Sequence, residues 1–129
     1  MPAALRVWAK GLLCTEAAVE LLVGHRSWLV REDFLAVAVE FGWETFSGQV
    51  MAAVDFEAAA GALEAGVLPC AGSEGQILRL AASIAGAAAI DLGSALSGLD
   101  EGNVALVAGA VLHAAGHRGV VAAFGGERC

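Results

Sequence analysis

The sequence predicts an all-α fold, a compact single-domain bundle of five to six short helices. Three observations carry that expectation. Apolar residues recur at helical spacing along most of the 129 residues. Residues that favour helix caps precede those runs, and glycines follow them. Hydrophobic residues make up 58% of the chain, with 29 alanines and 17 glycines in all, so the core must be assembled from small side chains that let helices approach closely. The length fits one domain, and folding at this size buries about two-thirds of the extended chain's surface. The domain is expected over 1–119, with a subdivision near 67–72 at the Leu68–Gly72 turn. Residues 120–129, which include Gly125-Gly126, read as a partly flexible tail.

Each helix has its own signals. Thr15 is placed to cap a helix over 15–24, with Val19, Leu22 and Val23 on one face and Glu16 and Glu20 stacked on the other. Gly24 is placed to end it. The run Arg31 to Phe41 puts Phe34, Leu35, Ala38 and Phe41 on one stripe, and Gly42 closes it. A third helix is expected over Gly48–Ala65 from Val50, Met51, Val54, Ala58 and Ala62, with Gly66 and Pro69 as its stop. Ser73-Glu74-Gly75-Gln76 has the form of a capping box and opens Glu74–Ala85, burying Ile77, Leu80, Ala81 and Ile84. Asp91 caps a short helix through Leu96, and Asp100 caps Glu101–Ala115, which buries Val104, Val107, Val111 and Leu112. Strands over Ala4–Trp8 and Val120–Phe124 are the weaker alternative, because Ala and Gly dilute both runs.

The charge balance narrows the partners. Seven Lys and Arg stand against fourteen Asp and Glu, for a net charge of −7. No segment carries the basic run that a phosphate backbone or an anionic membrane surface requires. Cys14, Cys70 and Cys129 form an odd set without CxxC spacing, as expected for reduced thiols in a cytoplasmic protein. Cys14 and Cys70 read as small core residues. Only three residues separate Lys10 from Cys14, too short for the apolar region of a lipoprotein signal. The charge-free stretch Asn103 to His117 is shorter than the roughly 20 residues of a membrane span.

His113 and His117 stand four apart at the end of the last helix, a spacing that lets two imidazoles reach one metal ion, with His25 and Cys70 as further ligands. Cationic histidines at a helix C-terminus are also favoured by the helix dipole without any metal. No serine lies in a Gly-x-Ser-x-Gly elbow, and neither GxxxxGK[ST] nor GxGxxG occurs, so no cofactor is implied. The aromatic residues concentrate in the first 56 positions, and most are expected in the core. Ser27-Trp28-Leu29-Val30 differs, being an apolar triplet in an expected loop, and Trp28 and Leu29 are the candidates for contact with a partner.

Ser73 to Ala81, the short helix near Asp91–Leu96 and the helix capped at Asp100 together resemble the helix spacing of a LuxR-type helix-turn-helix. The resemblance covers about a third of the chain. It implies a degenerate tri-helical C-terminal half, and in that family the third helix carries basic and polar residues to DNA. Here Glu101–Ala115 has Glu101 and Asn103 at its start and no cation before His113. The function expected is therefore a non-catalytic cytoplasmic interaction or assembly module that associates with a protein partner or with itself. A transcriptional regulator, or a small metal-binding protein using His113 and His117, are the alternatives.

Overall fold

The computed structural model describes residues 1–117. Helix α1 spans Pro2–Ala9, with proline in its first turn, where a missing N–H costs nothing. Helix α2 (Leu13–His25) begins two residues before Thr15. The Glu16 carboxylate, not Thr15, draws the preceding loop to this end, accepting the Gly11 N–H at 2.9 Å. The helix runs through Gly24 and stops at a γ-turn on Arg26 (φ 73°, ψ −39°), in which the Ser27 N–H donates to the His25 carbonyl at 3.0 Å. A 3₁₀ turn (Trp28–Val30) leads into α3 (Glu32–Ala38).

The chain then leaves the expected helical course. Val39, Glu40 and Phe41, expected to end α3, instead open strand β1 (Val39–Trp43), and residues expected near the start of the next helix form β2 (Val50–Val54). The two pair antiparallel, with Val39 opposite Val54, Phe41 opposite Ala52 and Trp43 opposite Val50. The fold is thus mostly helical with a small two-stranded sheet, and not all-α. The cause lies in the residues. β-Branched and aromatic side chains alternate with Glu40, Gly42 and Glu44, a period of two that suits a pleated ribbon, whereas the helical stripe from Phe34 is satisfied by Ala38.

Helix α4 (Phe56–Glu64) is capped by Asp55, which accepts the Ala58 N–H at 2.9 Å. Helix α5 (Gly72–Ile84) starts earlier than its expected cap. Ala71 holds the N-cap position, Glu74 reaches back to accept the Ala71 N–H at 3.2 Å, and Ser73 lies inside the helix. Asp91 and Asp100 cap α6 (Leu92–Leu96) and α7 (Glu101–Ala114) as expected, accepting the N–H groups of Ser94 and Asn103.

Packing centres on α2, which meets α1, α5 and α7, while α1 also lies against β2. Leu5, Val19, Leu22, Trp28, Phe34, Ile77 and Leu78 are fully enclosed in this core. Close approach of small residues is visible where Leu106 of α7 reaches Gly24, at which a Cβ would stand 2.7 Å from the leucine Cδ2. Cys14 and Cys70, expected in the core, are exposed. Val104 and Val111 are exposed as well, so the buried stripe of α7 is carried by Val107 and Ala110. The tail expected over 120–129 lies outside the described residues. Among those described, no helix is long and apolar enough to cross a membrane.

Candidate functional site

Trp28 faces inward. Its side chain is fully buried, its indole N–H donates to the Glu74 carbonyl at 2.9 Å, and its ring lies 5.5 Å from that of Phe34 at a tilt of 50°. The Arg31 guanidinium sits 4.5 Å from the indole centroid, a cation–π contact, and also pairs with Asp33 at 2.6 Å. That ion pair holds the Asp33 carboxyl below its ordinary range and raises the arginine. Leu29 is half-buried against the core. An indole so enclosed joins the loop to α5 and offers no surface to a partner. Val30 is the exposed member of the triplet.

The His113 and His117 side chains do different things. His113 Nε2 lies 3.0 Å from Glu16 Oε1, linking α7 to the start of α2, and both side chains are largely buried. His117 is exposed beyond the end of α7. Beside the pair is a cleft of about 270 Å³ lined by Arg6, Ala9, Lys10, Glu16, Glu20 and His113, with Arg6 bound to both Glu20 oxygens at 2.6 and 2.9 Å. Each imidazole or guanidinium in that cleft thus has a carboxylate of its own chain, which suits a structural seam between helices. No group of three His, Cys, Asp or Glu residues suited to hold a metal ion occurs among the described residues.

The hairpin provides a different kind of surface. Val39, Phe41 and Trp43 share one face with Val50, Ala52 and Val54, because opposite residues in an antiparallel pair lie on the same side. Nearest the core, Ala52 and Val54 are buried. Farther out, Phe41 is 61% exposed and Trp43 73%, and Phe46 in the connecting turn is 97% exposed. On maximum areas of about 200 Å² per ring, these three side chains present roughly 400–500 Å² of apolar surface. A typical monomer's largest patch is about 300–600 Å² and is often functional.

The turn that displays Phe46 is held by its own carboxylate. Glu44 accepts the Ser47 N–H at 2.7 Å and the Phe46 N–H at 3.2 Å, and Gly48 takes the positive φ of 70° that lets the chain return. The Ser47 hydroxyl and these two N–H groups keep the Glu44 carboxyl below its ordinary range, so it is charged. Most aromatics of the first 56 positions, a group that includes Phe41, Trp43 and Phe46, were expected in the core, and these three are exposed. The run Glu44-Thr45-Phe46-Ser47-Gly48-Gln49 between two alternating segments was the signal for a hairpin tip. Compared with known proteins, the chain matches no family model, no curated protein and no solved structure.

Proposed function

We propose that this chain is a non-catalytic assembly module that meets a protein partner through the aromatic face of its β1–β2 hairpin. The observation that carries the reading is the exposure of Phe41, Trp43 and Phe46 together on one rigidly turned ribbon. Aromatic side chains are enriched at the centres of protein interfaces and dominate their energetics, and leaving three in water is costly unless something covers them. The acidic surface and the lack of cations on α7 before His113 favour a protein over a nucleic acid as that partner. A cytoplasmic setting accords with three cysteines without disulfide spacing.

Photo-crosslinking tests the reading. A benzophenone side chain placed at Phe46 in the native cell is expected to give discrete protein adducts. The same group at Val104, an exposed apolar position on α7, is expected to give none of them. Identical adducts from both positions, or none from Phe46, would contradict the assignment.

A further inference from the structure

We propose that the partner is a second copy of this chain, and that two β1 strands pair edge to edge about a two-fold axis passing beside Phe41. The inference rests on the reading of the hairpin as the docking face, and it adds the occupant and the register.

The free edge follows from the hydrogen bonds at either end of the ribbon. The Asp55 N–H donates to the Ala38 carbonyl at 2.7 Å, and the Glu44 N–H donates to the Gln49 carbonyl at 2.7 Å. Both belong to the register that pairs Val39 with Val54 and Trp43 with Val50. In an antiparallel ladder, bonded and non-bonded pairs alternate. Glu40 and Gly42 therefore bond to β2, while the backbone groups of Phe41 and Trp43, with the Val39 carbonyl, point away from it. The Val39 N–H is already used by α3, donating to the Leu35 carbonyl. No described residue hydrogen-bonds to the N–H or carbonyl groups of Phe41 or Trp43 across that outer edge. β1 is exposed from Glu40 to Trp43, whereas β2 is covered by α1. Nor does β1 carry the lysine or proline with which proteins commonly block such an edge.

Symmetry and charge then select one register. A two-fold axis perpendicular to the sheet makes a self-complementary contact. Centred on Phe41, it lets the two Phe41 residues exchange N–H and carbonyl bonds, and lets each Trp43 N–H donate to the Val39 carbonyl of the other copy. Glu40 then faces Gly42. A shift to either neighbouring same-face register sets Glu40 opposite Glu40, or Glu40 opposite the charged Glu44, and like charges directly opposite destabilise a ladder. In the chosen register, the Phe41 and Trp43 rings of both copies gather on one face of a four-stranded sheet, between the two α1 helices. A two-stranded ribbon is marginal alone, and a wider sheet with an apolar face is stable.

The exposed Phe41 and Trp43 ring area of two copies comes to roughly 500–550 Å², well below the standard interface of about 1,200–2,000 Å². Weak, concentration-dependent association is therefore expected. With a net charge of −7 on each copy, added salt should tighten the dimer by screening.

Light scattering of the full chain from about 1 to 500 μM, with disulfide trapping, tests the proposal. In a chain with Cys14, Cys70 and Cys129 replaced by serine, Phe41→Cys places two sulfurs across a bonded pair whose Cα atoms stand about 5.5 Å apart, within bridging range. Gly42→Cys places them about 8 Å apart by strand rise and spacing, beyond that range. A concentration-dependent dimer, trapped by Phe41→Cys and not by Gly42→Cys, is the expected result. Circular dichroism matching the parent chain checks that each variant is folded. A monomer throughout, with adducts to another protein from Phe46, would overturn the second-copy assignment and leave the docking face standing. A dimer that neither cysteine traps, or that Gly42→Cys traps equally, would overturn the register. A monomer with no adducts from Phe46 would overturn both.

Discussion

His25 closes α2 with its Nδ1 atom buried and without a hydrogen-bond partner among the described residues. Burial pushes the imidazole below its ordinary pKa, against the opposing pull of the Glu74 and Asp100 carboxylates. The unfolded chain then takes up the proton first, so the sign is fixed: stability is whole above about pH 6.5 and falls as the pH drops below it. The urea midpoint of the wild type should decline between pH 7.5 and 5.5, and His25→Gln should remove part of that decline. An identical decline in both would show that His25 is not the group responsible. Its neighbour Arg26 is the one residue other than glycine with positive φ among those described, and together they form the sharp corner that brings Trp28 under Glu74.

At the scale of the element, the start of α5 separates a cap in sequence from a cap in space. Ala71 occupies the N-cap in an extended conformation, with φ −67° and ψ 156°, and has no oxygen to offer the first turn. Ala71→Ser should raise stability by about 0.5–2 kcal/mol, whereas Ser73→Ala should change it by less than about 0.5 kcal/mol. Denaturant titration of the two variants checks both, and a larger loss from Ser73→Ala would restore the cap to that serine. Asp91 and Asp100 were legible because an aspartate directly before an apolar helical run has few other uses. The Ser73 to Gln76 pattern misled because Glu74, inside it, reaches back to Ala71 and shifts the helix start. The hairpin was hidden for a related reason. Phe34, Leu35, Ala38 and Phe41 satisfy a helical period, while Val39, Phe41 and Trp43 satisfy a period of two, and the overlap at Phe41 favours whichever pattern is extended first. Only pairing with Val50 to Val54, a contact between distant residues, decides between them.

For the whole molecule, composition spoke of many apolar faces and few charges but could not say which face is left over. Trp28 and Phe41 are both aromatic residues near glycine- or charge-bearing segments, and one is fully enclosed while the other is 61% exposed. The difference arises from the γ-turn that folds one under α5 and the ribbon that carries the other out past α1. The proposed dimer rests on the open edge of β1, and the exchange rate of a single backbone proton reports on it. In a lone chain the Phe41 N–H points to water, while those of Glu40 and Gly42 are held by β2. Hydrogen exchange followed residue by residue, in dilute and concentrated samples, should show the Phe41 amide slowing at least about tenfold with concentration, with Glu40 and Gly42 protected in both. A Phe41 amide that exchanges equally fast at every concentration would contradict the pairing of two β1 edges.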